Sequence, residues 1–297
     1  MGQDHRLPQQ RFELKYLIDG AITTRMREFL GCHLVLDDYG ANRPNFSYPI
    51  HTLYLDSDGL ETYKHSINGT KNRFKLRLRY YNDQPDSPVF FEVKGRVDNC
   101  ILKRRCPVHR SAVPLLLAGH LPEPDHLLSK EFRHLETLNH FIRLMQNLNA
   151  RPKAHNHYMR EAWVTPDNNA VRVTFDRNIL IEPHFTPDAT TAMTRPTRVF
   201  PEFVVLELKF TERFPNWFNL LVQRFDLMQY SSAKYTEGIM LAGESRFHES
   251  FRARRWDENF SSGEDFSKPS SRGSERSGWR ESVPMPQALE HAAMSRV

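Results

Sequence analysis

With 297 residues, 39% of them hydrophobic, and a formal charge of +5, the chain is large enough for one sizeable core or two small ones; its charge favours an acidic partner. Three cysteines, Cys32, Cys100 and Cys106, exclude a disulfide framework, and the lack of a CxxC pair excludes a cysteine zinc site, so a reducing compartment is expected. The most apolar stretch, 112–121, is broken by Pro114 and His120 and is too short for a bilayer, and residues 1–10 lack the apolar run of a signal peptide, so a cytoplasmic protein is expected.

Residues 11–18 alternate, with Phe12, Leu14, Tyr16 and Ile18 on one side and Arg11, Glu13 and Lys15 on the other, which predicts a strand with charge on one face. Asp19 is placed to cap a helix carrying Ile22, Met26, Phe29 and Leu30 at helical spacing. After a loop over 37–47, residues 48–56 are rich in strand formers and end at the turn Asp56-Ser57-Asp58-Gly59. A further turn at Asn68-Gly69 leads to residues 73–81, which set Arg73, Lys75, Arg77 and Arg79 against Phe74, Leu76, Leu78 and Tyr80. Turn residues at 82–86 and 95–99 separate this strand from 89–94, with Glu92 and Lys94 on one face, and from 101–108, with Lys103, Arg104 and Arg105. Alternation sends Arg104 to the face opposite Lys103 and Arg105.

A 3.6-residue apolar period over 127–148 predicts one long amphipathic helix. Strands are expected at 158–164, 171–176 and 202–210, carrying Arg160, Arg172, and Glu207 with Lys209, and a helix over 215–228 leads to Ser231-Ser232-Ala233-Lys234-Tyr235. Residues 246–297 are rich in Ser, Arg, Glu and Gly without an apolar period and are expected to form a disordered tail after a folded domain at 11–245.

Same-face cations on a strand stand about 6.6 Å apart and repel by roughly 2.5 kcal/mol at an effective dielectric near ~20. Such a row needs open water or a bound polyanion. A sandwich with its charges turned outward meets the first condition. The spacing Glu13-x-Lys15, Glu92-x-Lys94 and Glu207-x-Lys209 places acid and base together on one face, and the helices have apolar faces that need a surface. An α+β fold built on a closed, antiparallel, eight-stranded barrel, with helices outside and a charged lumen, meets both needs.

RFELKY at 11–16, TLYLDS at 52–57, KLRLRYY at 75–81, FFEVK at 90–94, KRR at 103–105, VRVTFD at 171–176, LELKF at 206–210 and SAKYTEGI at 232–239 together resemble the VTC domain. That is the polyphosphate polymerase domain of the vacuolar transporter chaperone complex and its bacterial relatives, within the triphosphate tunnel (CYTH-like) superfamily. The resemblance implies a tunnel that binds triphosphate and a divalent metal, and a membrane protein as partner at the inner face of a membrane. Arg11 stands where the triphosphatase branch has the first Glu of Glu-x-Glu-x-Lys, which favours the polymerase branch.

Phosphoryl transfer asks a protein for positioning and charge neutralisation. Arg77, Arg79, Lys94 and Lys209 are the expected catalytic cations, and Lys15, Arg160, Arg172, Lys234, Lys103 and Arg105 the expected substrate contacts, Lys234 through the resemblance. Glu207, then Glu13, are the expected ligands for Mn²⁺ or Mg²⁺, which take hard oxygen donors. Glu92 serves equally as a partner for an arginine. The expected reaction is ATP-dependent polyphosphate synthesis; a triphosphatase and a non-catalytic polyphosphate or inositol-phosphate sensor stay open as alternatives. No nucleic-acid partner is expected, since no cation row interleaves with aromatics in a recognisable module. Asp56-Ser57-Asp58 reads as a turn, His155-x-His157 has no evident third ligand, and neither a P-loop nor a GxGxxG is present.

Overall fold

The period-two segments do form strands in the computed structural model, which describes residues 11–97, 100–166, 170–211, 213–230 and 233–248. Ten strands make one antiparallel sheet: β1 (Arg11–Asp19), β2 (Val35–Leu36), β3 (Ser47–Asp56), β4 (Arg73–Tyr80), β5 (Val89–Val97), β6 (Cys100–Val108), β7 (Arg151–Val164), β8 (Val171–Pro183), β9 (Thr197–Val199) and β10 (Phe203–Thr211). Six helices accompany them: α1 (Thr23–Gly31), α2 (Glu61–Ile67), α3 (Val113–Leu117), α4 (Phe132–Asn147), α5 (Asn216–Arg224) and α6 (Lys234–Ala242). No helix among the described residues is long and apolar enough to cross a membrane. The tail expected from 246 onward lies outside the described residues beyond His248.

Eight strands follow one path, β1-β10-β8-β7-β3-β4-β5-β6, with β2 added to β7 and β9 to β8. The path curls so far that Glu13 of β1 meets Lys94 of β5 at 3.7 Å. It does not zip shut: among the described residues β1 and β6 share no main-chain ladder, so the expected closed barrel is an open, curled sheet. The outer edge of β1 is taken instead by the turn after α5, where Gln229 bridges Tyr16 and the Tyr230 amide donates to the Lys15 carbonyl at 2.8 Å. The outer edge of β6 likewise bonds the segment before α4, through the Leu127 bridge to Val108 and the Leu128 amide to the Pro107 carbonyl.

The convex face carries the helices. Leu138, Phe141, Ile142 and Met145 of α4 pack on Leu76, Leu78, Phe91 and Val93; α1 and α5 cover β1, β8 and β10 through Met26, Leu30, Phe218 and Leu221. Burying each such side chain contributes about 1.5–3 kcal/mol. α6 takes the other side, at one end of the concave face, where Ile239 packs with Ile179 and Ile181. Gly238 permits this approach, since a Cβ there would stand 2.6 Å from Ile181 Cδ1.

Asp56 ties this end together. Its buried carboxylate accepts from the Ser57, Thr62 and Tyr63 amides, the Thr62 hydroxyl and, at 2.8 Å, the Tyr235 hydroxyl of α6. The Asp-Ser-Asp stretch is thus the entrance to α2, a helix the apolar pattern did not announce. On the convex side of β3 and β7, His51 Nδ1 lies 3.0 Å from His155 Nε2 and stacks on His157 at 4.4 Å. Burial, then the neighbouring histidines, push His51 down to about 4 and His155 to about 3. Among the described residues no group of three or more His, Cys, Asp or Glu is placed to hold a metal ion.

Asp56→Ala removes a carboxylate with five donors and is expected to destabilise the fold by about 3 kcal/mol or more, read as a lower midpoint in urea. Asp56→Asn should recover part of that loss, because it keeps an acceptor for the α2 amides.

Candidate active site

On the concave side, β4 presents Lys75, Arg77 and Arg79, and its register with β5 sets Lys75 opposite Lys94, Arg77 opposite Glu92 and Arg79 opposite Phe90. β6 adds Lys103 opposite Lys94 and Arg105 opposite Glu92. Glu92 is fully buried, with Arg77 at 2.6 Å, Lys103 at 3.1 Å and Arg105 at 3.4 Å. Burial alone would raise its pKa, but Arg77, Arg79, Lys103 and Arg105 hold it well below the usual carboxylate range. Glu92 thus makes the arginine contacts that the structural one of its two expected roles requires.

A second group forms where β1, β10, β8 and β7 lie side by side. Lys15 stands opposite Glu207, Glu13 opposite Lys209, and Lys209 opposite Arg172. Glu207 contacts Lys209, Lys234 at 3.0 Å, Arg160 at 3.3 Å and Lys15 at 3.9 Å. Asp176, fully buried, accepts two bonds of 2.7 Å from Arg160 and meets Lys234 at 2.7 Å. Burial opposes charge on Lys234, yet Asp176 and Glu207 outweigh it and raise its pKa. Glu13, with Lys15 at 3.2 Å, is held at about 2: burial would raise it, and Lys209 and Lys94 overcome that. Arg172 shares the face but is engaged at its rim, donating to Asp37 at 2.8 Å and to the Tyr48 hydroxyl at 3.3 Å.

The carboxylates Glu13, Glu92, Asp176 and Glu207 are outnumbered by cations, and among the described residues neither Arg79 nor Lys75 makes a direct ion pair, although Arg79 acts on Glu92 through its charge. Buried Arg79 donates to the Thr52 hydroxyl at 3.5 Å and the Tyr158 hydroxyl at 3.3 Å, while its Nε bonds nothing and no ion pair forms among the described residues. Lys75 reaches Thr236 Oγ1 at 3.2 Å and lies 5.4 Å over the Tyr235 ring. Burial, then Lys94 and Lys15, lower its pKa to about 7; burial opposed by Glu13 leaves Lys94 at about 8, and burial opposed by Glu92 leaves Lys103 at about 8. A guanidinium without a direct ion pair and depressed lysines on one face give that face the chemistry to receive a multiply charged anion.

All twelve residues singled out in the sequence thus share this face, Arg172 at its margin. Lys75 and Asp176 belong with them and were passed over, although each continues a period-two row, two residues before Arg77 and four after Arg172. Asp37 arrives from a loop and left no pattern. Glu13 and Glu207 offer hard oxygen donors on neighbouring strands, and the Glu207 charge works against ionisation of Glu13, but they do not make a metal site by themselves.

The VTC domain family model matches residues 10–242. The chain belongs to the VTC domain family. Subunit 4 of the vacuolar transporter chaperone complex of Schizosaccharomyces pombe is 21% identical over 181 residues, 56% of this VTC chain and 25% of the yeast protein, so the chain spans about a quarter of that relative. Among solved structures, a candidate adenylate cyclase from Bacillus halodurans is similar with a TM-score of 0.43 and 12% identity, over 76% of this chain and 96% of that one. Another from Vibrio parahaemolyticus gives 0.40 and 11%, over 78% and 98%.

The depressed lysines of this VTC domain make anion binding a proton-linked event. Their folded pKa values, about 7 for Lys75 and about 8 for Lys94 and Lys103, lie below the free-lysine value of about 10.4. The unfolded chain then binds more protons across that window, and the free protein gains stability as pH rises through it. A polyanion reverses the shift, so tripolyphosphate binding near pH 8 is expected to take up protons and to weaken as pH rises. Calorimetry in two buffers of different ionisation enthalpy reads the uptake directly.

Proposed function

We propose that the protein is an ATP-dependent polyphosphate polymerase. The observation that carries this is the surplus of cations on the concave face, with no direct ion pair at Arg79 or Lys75 among the described residues, in a member of the VTC domain family. Arg77 and Arg79 bind the terminal phosphates in forked contacts, and Lys94, Lys209 and Lys234 serve as point charges around them. Lys15, Arg160 and Lys103 extend the surface along which a growing chain lies, with Arg172 at its rim, and Arg105 is a further contact to the nucleotide substrate. The terminal oxygen of that chain attacks the γ-phosphorus in line, the bond to the β-γ bridging oxygen breaks, and ADP leaves with the electron pair.

Glu92, Asp176 and Glu207 keep the cations fixed before substrate arrives, so little reorganisation is required as charge develops. Glu207 and Glu13 would hold Mn²⁺ or Mg²⁺ jointly with phosphate oxygens, and such an ion, when bound, supplies further charge neutralisation. The open sheet completes the tunnel with substrate bound across it, rather than through a main-chain ladder. The name of the yeast relative, a subunit of a vacuolar transporter chaperone complex, supports a partner protein as the setting.

Incubation with ATP and Mn²⁺ is expected to yield long-chain phosphate. Orthophosphate or pyrophosphate alone would instead make the protein a triphosphatase, and tight polyanion binding without turnover would make it a sensor. Arg77→Ala and Glu207→Ala are each expected to slow ATP turnover by about 100-fold or more, with circular dichroism confirming that the variants are folded.

A further inference from the structure

The concave face changes character at one level on neighbouring strands. Tyr81 directly follows the last residue of β4, two residues after Arg79; on β5 Phe90 stands opposite Arg79; and on β6 Pro107 stands opposite Phe90. Phe90 and Tyr81 are both half-buried and meet edge to face at 6.2 Å. Phe90 is outside the three apolar cores of the described residues, and Tyr81 lies at the margin of one of them, so the pair stands between packed core and open groove. The Arg105 guanidinium lies 3.4 Å from the centre of the Phe90 ring, its Nη2 donates to the Tyr81 hydroxyl at 3.4 Å, and the side chain is 35% exposed. Two aromatic side chains therefore hold one guanidinium in place with part of it turned to solvent.

An inorganic phosphate chain can use only the N–H edge of this guanidinium and gains nothing from its flat, ring-backed face. A nucleobase does, because its flat ring stacks on a guanidinium as readily as on an aromatic side chain. We propose that Arg105, backed by Phe90 and Tyr81, seats the base of the nucleoside triphosphate, which gives the groove a direction. The base lies at the aromatic end, and the phosphates run over Arg79 and Arg77 toward Lys75 and Lys94. This rests on the phosphate-transfer reading above and adds to it a means of telling the nucleotide donor from the inorganic acceptor. Arg105 touches the base; Phe90 and Tyr81 are positioning residues.

The test compares the full chain's affinities for ATP and for tripolyphosphate by calorimetry, so that the phosphate contacts cancel in the ratio. Phe90→Leu is expected to reduce the preference for ATP by about tenfold, and Phe90→Trp to keep it. Should Phe90→Leu fail to fold, Arg105→Lys, which keeps the charge and loses the plane, is expected to show the same fall. Equal losses for the two ligands, or no loss for either, would overturn the seat while leaving the phosphate site intact. If the wild-type chain binds neither ligand, the phosphate-transfer reading falls first and the seat with it.

Discussion

Like charges crowded on one concave surface are the constraint on which this fold turns. Two cations about 6 Å apart repel by about 3 kcal/mol at an effective dielectric near ~20, and more as water is withdrawn. Glu92 and Asp176, each fully buried, and Glu207 beside them, are the means by which the polypeptide tolerates that crowding. Each gathers several cations: Glu92 takes Arg77, Lys103 and Arg105, while Glu207 and Asp176 share Arg160 and Lys234. Removing one of these acids would leave its whole group of cations uncompensated, so they matter more to the site than their number suggests.

The rest of the architecture follows from keeping water on one side of the sheet and hydrocarbon on the other. Helices α1, α4 and α5 shield the convex face, which leaves the concave one free for polar work. α6 is the exception, because it enters the concave side and delivers Lys234 from its first turn. Its placement depends on contacts remote from the charges, namely the Asp56 carboxylate on Tyr235 and the bare Cα of Gly238 against Ile181. A stability element and a site element are thus the same nine-residue helix.

Strands with one apolar and one charged face were plain in the sequence, and the period-two rows of β1, β4, β5 and β10 located Lys15, Arg77, Arg79, Lys94 and Lys209, about half of the site's cations. Where both faces of a strand are buried, that signal fails. β7 begins at Arg151, well before the expected 158, because Lys153, His155 and Asn156 are buried polar residues and a bulge interrupts the register between His157 and Met159. α4 starts at Phe132 although apolar residues continue upstream, since Leu127 is drawn into a bridge with Val108. α2 is too short for a periodic pattern. Closure of the sheet was not legible at all, because which segment occupies the outer edge of β1 depends on a turn far along the chain rather than on the composition of the strand.

That unfastened seam has a mechanical meaning. A barrel stitched by amide-to-carbonyl bonds has a bore set by its backbone, whereas here β1 and β5 approach each other through an ammonium and a carboxylate, Lys94 and Glu13. Attraction of that kind weakens with ionic strength and can be competed away by any other anion. The calibre of the groove is thus held by a clasp that a phosphate chain is itself equipped to loosen.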